Sequence, residues 1–257
     1  MQATLDFGAV GDLREVRDRL HNFFGDLEPP PRRTPMQQLV KSLISNRTYD
    51  RVSVGAFERL MADGANWDVL AQAPARDLEA RIFDVEFADR KAAHLTATLA
   101  ILSRIRPSFD LDFLSAQPMD AALAWLERLP GVGRKVAASV LNFSTLQRPA
   151  LVIDTHLKRV LSRLGFVSGT ADTTRMYETM MQAADGWSAT ELTELHVWLK
   201  RLGQTHCRPH GSDCCACPLH SRCPARTAAL QVKATPLRAS PRPFMPRLAG
   251  LTSSPAD

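Results

Sequence analysis

Apolar positions recur along this chain at helical spacing, and no stretch alternates as a strand would. Leu13, Val16, Leu20 and Phe23 mark a first helix that Asp12 can cap and Gly25 can close. Pro29-Pro30-Pro31-Arg32-Arg33 breaks the chain, and Thr34-Pro35 then offers a cap and a first-turn proline to a helix with Leu39, Val40, Leu43 and Ile44 inward. Ser45 to Asp50 interrupts the pattern, and the next helix is expected from Arg51 to Ala62. Residues 63–88 are irregular, with short helices expected around Trp67–Ala71 and Pro74–Ile82. Asp89 can cap a long helix carrying Ala92, Leu95, Leu99, Leu102 and Ile105, stopped before Pro107.

Further helices are expected from Pro118 to Arg128, with Leu123, Leu126 and Leu129 on one face, and from Arg134 to Asn142, with Val136, Val140 and Leu141 inward. Asp154 opens another, with Leu157, Val160, Leu161 and Leu164 inward and Gly165 at its close. Residues 173–184 form the next. Ser188-Ala189-Thr190-Glu191 has capping-box spacing and opens a helix with Leu192, Leu195, Leu199 and Leu202 inward. From about Leu230 the periodic apolar residues give out among Pro, Arg, Ser and Ala, so a disordered tail is expected over 229–257. There is no internal repeat, and the expected fold is all-α.

At 257 residues the chain can bury a sizeable core as one large domain or two small ones. No apolar run approaches the ~18–20 residues that a membrane span needs. Met1 to Val10 has no basic region before a long apolar stretch, so a secretory signal is not expected. A cytoplasmic protein follows, nucleoid-associated if the source is bacterial, with no membrane partner and a monomeric state expected. The formal charge of +5 is mild, but its placement is telling. Between Gly131 and Arg163 stand Arg134, Lys135, Arg148, Lys158, Arg159 and Arg163 against the single acid Asp154. That stretch alone carries the chain's whole excess, a field suited to a polyanion.

The field surrounds Leu129-Pro130-Gly131-Val132-Gly133-Arg134-Lys135, where one helix stops, turns and restarts. The turn's free N–H groups and the second helix's N-terminus make an anion site that fits a phosphate, with Val132 packed down between the helices. Such binding positions DNA without reading its sequence. The same spacing also serves an ordinary tight helix–helix connection. Lys135 falls in the first turn, where the helix dipole disfavours an ammonium and burial against DNA would disfavour it further. A neutral amine beside a sugar C1′ can displace a damaged base and form a Schiff base; proton loss at C2′ then expels the 3′ phosphate. Asp154, fixed by the apolar run Leu151-Val152-Ile153, can stabilise the developing positive charge. The plainer readings are a phosphate contact for Lys135 and a helix cap for Asp154, with His156 a structural hydrogen-bonder.

All five cysteines lie between 207 and 223. Clustering of this kind points to a metal centre rather than a disulfide framework. Cys207, Cys214, Cys217 and Cys223 are spaced Cys-x6-Cys-x2-Cys-x5-Cys, which suits a cubane iron–sulfur cluster better than the two close pairs zinc prefers, though zinc stays open on spacing. Cys215 is a spare thiol expected to point away.

These three motifs, in this order, resemble the endonuclease III family of helix-hairpin-helix DNA glycosylases; the resemblance covers residues 10–226. It implies two helical lobes with double-stranded DNA in the cleft between them: a six-helix barrel over 33–150 containing the hairpin, and a second lobe joining 1–32 to 151–228. It further implies a [4Fe-4S] cluster on the four cysteines and extrusion of the damaged nucleotide into a pocket. By residue match, Lys135 corresponds to the family's Schiff-base lysine, Asp154 to its catalytic aspartate, and Gly131, Val132, Gly133 and Arg134 to its DNA-binding hairpin. The related adenine-removing enzymes lack the lysine, so Lys135 favours a glycosylase that is also an abasic-site lyase.

Three stretches depart from the family. Its Ser-Ala-Gln-x-Thr segment, whose glutamine fills the gap left by the flipped base, reads Ser45-Asn46-Arg47-Thr48-Tyr49-Asp50 here. Arg47 in that place can bond an orphaned guanine, or only a phosphate. The family's leucine wedge is replaced by Phe87 within Val85-Glu86-Phe87-Ala88-Asp89-Arg90-Lys91-Ala92, and Glu86 stands in place of a glycine close to the DNA. The loop after Cys207, basic in the family, keeps Arg208, His210 and an opposing Asp213. The expected activity is removal of damaged, oxidised pyrimidines and β-elimination at the abasic site. A different lesion, or mainly abasic sites, is the nearest alternative. A non-catalytic cluster protein that binds DNA structure or senses redox state is an alternative of another class.

Overall fold

The computed structural model describes residues 8–26, 28–62 and 66–226, so the tail expected at 229–257 lies outside the described residues. Eleven α-helices follow one another in the described chain: α1 Gly8–Phe24, α2 Pro35–Ser45, α3 Asp50–Met61, α4 Trp67–Gln72, α5 Ala75–Arg81, α6 Ala88–Ile105, α7 Met119–Glu127, α8 Arg134–Phe143, α9 Thr155–Arg163, α10 Thr173–Ala183 and α11 Ala189–Thr205. Among the described residues the only β feature is an isolated bridge between Arg33 and Ser144. No described helix is long and apolar enough to cross a membrane.

The capping predicted for α2 and α11 forms. Thr34 and Gln37 make a reciprocal capping box at α2, and Ser188 and Glu191 make another at α11. The inward positions of α2 put Leu39, Val40 and Ile44 almost fully out of solvent. α2 is the hub of the hairpin side of the molecule, packing on α8, α3 and α6, while α4 and α5 lie along α6. α1 joins the C-terminal helices, packing on α11 and α10, and α11 in turn packs on α9.

Local signals failed where the helix outran the core. α1 begins at Gly8, ahead of Asp12, so Asp12 is not its cap. Phe23 is 48% exposed, its ring meeting Phe24 and His206 edge-on instead of entering the core. Ile105, the last residue of α6, is 54% exposed. α6 starts at Ala88, and Phe87, in the left-handed conformation at φ +58°, stands at the cap position expected of Asp89.

Candidate active site

Asp154 owes its position to a buried run that two side chains pin. Leu151, Val152 and Ile153 are buried; Asn142 Nδ2 donates to the Ala150 carbonyl at 2.8 Å, and His196 Nδ1 donates to the Val152 carbonyl at 2.7 Å. Burial is the main force lowering the pKa of His196, and the Asp154 carboxylate opposes it. At the end of the run Asp154 caps α9: its Oδ1 accepts from the N–H groups of His156 at 2.8 Å and Leu157 at 2.9 Å. Among the described residues no hydrogen bond falls on Oδ2. Burial opposes ionisation of Asp154. The His196 and His156 rings, the Leu157 N–H and the Lys200 ammonium together outweigh it and hold the carboxyl below its usual range.

Lys135 stands in the first turn of α8, after a hairpin pinned by Thr98 Oγ1 donating to the Pro130 carbonyl at 3.0 Å. Val132 is buried between the helices as expected. Gly131, at φ +77°, packs on His94, whereas the Cβ side of Gly133 opens onto empty space. Among the described residues the N–H groups of Gly133, Arg134 and Lys135 have no protein acceptor. Burial is the main force lowering the Lys135 pKa; Asp154 opposes it and Lys200 adds to it. Among the described residues the Lys135 amine makes no hydrogen bond and no ion pair, so Lys135 and Asp154 act on each other through the field rather than by contact.

Lys135 and Asp154 line one cleft of about 700 Å³ together with Gly131, Gly133, Arg134, Arg47 and Glu86. Arg47 is exposed at its rim with φ +55°, and its guanidinium lies 5.8 Å from the centre of the Phe87 ring. The residue expected in the place of the gap-filling glutamine and the residue expected as the wedge are therefore neighbours. Arg208 is not among the cleft residues; it is exposed in the cysteine loop and donates to the Gly211 carbonyl at 2.9 Å.

The basic stretch is deployed differently from the free cationic face its charge suggested. Arg134 is paired with Glu127 at 2.7 Å and stacks over Tyr177. Arg148 donates to the Leu114 carbonyl, Lys158 to that of Ala171, and Arg159 to those of Cys207 and Gly203. Arg163 holds the Arg208 carbonyl and Ser212. Of the six cations only Lys135 lacks a partner among the described residues. Carbonyl partners fix a cation without cancelling its charge, and Arg134, Lys135 and Lys158 of this stretch line the cleft.

Sequence reasoning missed a second ion pair on the cleft wall. Lys200 of α11 meets Asp50 at the start of α3 with Nζ–Oδ2 2.6 Å. Residues 150 positions apart carry no local signal of such a meeting. It also missed two buried amines. Lys41 donates to Ser45 and Ser53, and burial beside Arg33 pushes its pKa down to about 8. Lys91, also pushed down to about 8, mainly by burial, donates to the Ile44 carbonyl and Thr48. A lysine amid the inward positions of α2 was the available signal for Lys41.

Cys207, Cys214, Cys217 and Cys223 are partly buried, and Cys215 is exposed, as expected of a spare thiol. Burial is the main cause pushing the Cys217 thiol up to about 11, and the other three sulfurs lie close enough to add to it. Arg163 Nη1 donates to Cys207 Sγ at 3.2 Å. Among the described residues no three His, Cys, Asp or Glu side chains are gathered closely enough to hold a metal ion. The donor chemistry, four partly buried thiols within the one loop 207–223, is of the type a thiolate-bound centre uses.

Residues 40–185 match the family described as HhH-GPD superfamily base excision DNA repair protein. Endonuclease III-like protein 1 of Bos taurus is 32% identical over 206 residues, covering 80% of this chain but only 63% of that relative's length. Endonuclease III of Rickettsia conorii is 28% identical over 218 residues, covering 81% of this chain and 95% of the relative. Among solved structures, a trapped Endonuclease III–DNA covalent intermediate aligns with TM-score 0.72 at 24% identity, covering 86% of this chain and 98% of that one. That likeness establishes the fold.

Proposed function

The chain belongs to the HhH-GPD superfamily of base excision DNA repair proteins, and on that premise we propose that it is a DNA glycosylase with abasic-site lyase activity. The relatives named Endonuclease III support this reading, and so does the site. The observation that carries it is the amine of Lys135, unengaged among the described residues, set in one cleft with the carboxylate of Asp154 beside the N–H groups of Gly133, Arg134 and Lys135, which have no protein acceptor among the described residues. A lysine that only held phosphate would gain nothing from burial and a lowered pKa; a nucleophile needs both.

In this mechanism the hairpin N–H groups hold a backbone phosphate of double-stranded DNA while the damaged nucleotide swings into the cleft. The glycosidic bond breaks, its electron pair leaving with the base, and Asp154 stabilises the positive charge on the sugar through the oxygen that caps nothing. The Lys135 amine bonds to C1′ and, as the sugar ring opens, forms an imine. Loss of a C2′ proton then breaks the bond to the 3′ phosphate, and water releases the lysine. Substrates are damaged, oxidised pyrimidines and the abasic sites they leave, engaged by one protein molecule per lesion. Arg47 meets the base left opposite the flipped nucleotide and Phe87 the stack beside it; Arg208 contacts backbone phosphate.

The lobes divide as 33–150 and as 1–32 with 151–228. Cys207, Cys214, Cys217 and Cys223 hold a [4Fe-4S] cluster, which cross-links the 207–223 loop and supplies redox chemistry when bound. Arg159 and Arg163 tie that loop to α9, the helix that Asp154 caps. The test is incubation of the purified protein with a duplex bearing one abasic site. Strand cleavage on the 3′ side, leaving an unsaturated aldehyde, is expected; an intact strand would overturn the lyase assignment. Release of free base from duplexes with single oxidised pyrimidines tests the glycosylase half.

A further inference from the structure

Two of the three stretches that depart from the family pattern, 45–50 and 85–89, are joined at a single oxygen. Thr48 Oγ1 accepts from the Glu86 N–H at 3.1 Å and from Lys91 Nζ at 2.8 Å, and its own proton is directed to the Asn46 carbonyl at 3.4 Å. That hydroxyl is fully used. Lys91 adds a second tie, from α6 to the end of α2 that leads into the first stretch. Its Nζ donates to the Ile44 carbonyl at 2.8 Å, and its backbone N–H donates to the Phe87 carbonyl at 3.0 Å. Lys91 is only 6% exposed, so it is a strut and not a surface contact.

What the strut holds is strained. Arg47 and Phe87, each next to one of the bonded residues or groups, both adopt left-handed backbone at φ +55° and +58°. A non-glycine residue keeps that conformation only where its surroundings impose it. The Arg47 guanidinium rests against the Phe87 ring, whose centre also lies 4.5 Å from the Arg90 guanidinium.

We propose that Thr48 and Lys91 are positioning residues that lock the Arg47 loop to the Phe87 loop, so that the base opposite the extruded nucleotide is read by both as one rigid unit. This rests on the reading that Arg47 meets that base. A hydrogen-bonding arginine discriminates only when its guanidinium is fixed, and here the fixing comes from the neighbouring loop. The Glu86 backbone N–H closes the lock, and its carboxylate acts on Lys91 through the field.

The test uses the full chain with its metal centre intact and four duplexes, each with a tetrahydrofuran abasic-site analogue opposite A, C, G or T. Equilibrium dissociation constants give the opposite-base preference. An arginine reading guanine discriminates on the order of 5- to 150-fold. Thr48→Val, which keeps the shape and removes the hydroxyl, is expected to collapse the preference to within about threefold, well below that range. Thr48→Ser should retain it, and Arg47→Gln should change it. Weakening of Thr48→Val by one factor on all four duplexes, with the preference kept, would mean a merely structural residue and would overturn the proposal. If Thr48→Val leaves the preference intact while Arg47→Gln alters it, the lock fails and the Arg47 reading stands. If Arg47→Gln also leaves it intact, or the wild type has no preference, the Arg47 reading itself fails. Lys91→Met removes the second donor to the same oxygen and provides the same decision if Thr48→Val does not fold.

Discussion

The two glycines of the hairpin should respond to alanine in opposite ways, because one faces protein and the other faces the cleft. At Gly131 the backbone is left-handed, and a Cβ would lie 2.7 Å from His94 Nδ1 and 2.8 Å from its Cγ. The conformation alone costs an L-residue about 1–2 kcal/mol, and the His94 ring must also move, so Gly131→Ala should destabilise the fold by at least that amount. Gly133 has φ −107° and ψ −178°, which alanine adopts freely, and nothing lies within 4 Å of its Cβ direction. The lost preference for glycine at a helix N-cap and the reduced freedom of the unfolded chain oppose each other, leaving a net change within about 0.5 kcal/mol. The new methyl nevertheless projects beside the N–H groups assigned to phosphate. Loss of one charge-assisted hydrogen bond is worth about 1.5–3 kcal/mol, or roughly 10- to 150-fold in Kd at 1.4 kcal/mol per tenfold. Urea unfolding and fluorescence anisotropy on an abasic-analogue duplex at fixed salt separate the two effects. A Gly133→Ala protein that is stable and binds as tightly as wild type would refute phosphate binding at the hairpin.

Other outcomes follow from the electrostatics and the cysteine loop. Schiff-base formation needs the free amine, whose fraction rises with pH, so the ascending limb of the trapping rate should lie below the ordinary lysine value of about 10.4. Lys200→Met removes a like charge and leaves Asp50 uncompensated; both changes raise the Lys135 pKa, so that limb should move to higher pH, and an unmoved limb would contradict the coupling. Cys215→Ser should retain the visible absorption and bound iron of the purified protein, whereas Cys217→Ser should lose them. A colourless wild type loaded with zinc would overturn the iron–sulfur assignment.

The fold was legible where local chemistry decides it. Thr34, Ser188 and Asp154 cap the helices they were expected to cap, because capping needs only residues two or three positions away. The buried faces of α2, α8 and α9 followed from spacing alone. Phe23 and Ile105 misled because periodicity does not say where a partner helix ends. The site was legible in its named residues and less so in its wiring. The Arg134 side chain reads as free charge until its partner Glu127 is seen; Arg159 and Arg163 read as field until their carbonyl acceptors, more than 40 positions away, are seen. Lys200–Asp50 and Lys91–Thr48 are products of tertiary packing. The endonuclease III resemblance is borne out by the family match over 40–185 and by the relatives.

The central claim is that one particular amine among several does the chemistry. Lys158 and Lys200 also line the cleft, and Lys41 and Lys91 lie buried close by with depressed pKa values. Borohydride trapping on a duplex with one abasic site, followed by peptide mapping of the adduct, distinguishes them. The adduct should map to Lys135 and vanish in Lys135→Ala. An adduct on any other lysine, or one that persists undiminished in Lys135→Ala, would contradict the account.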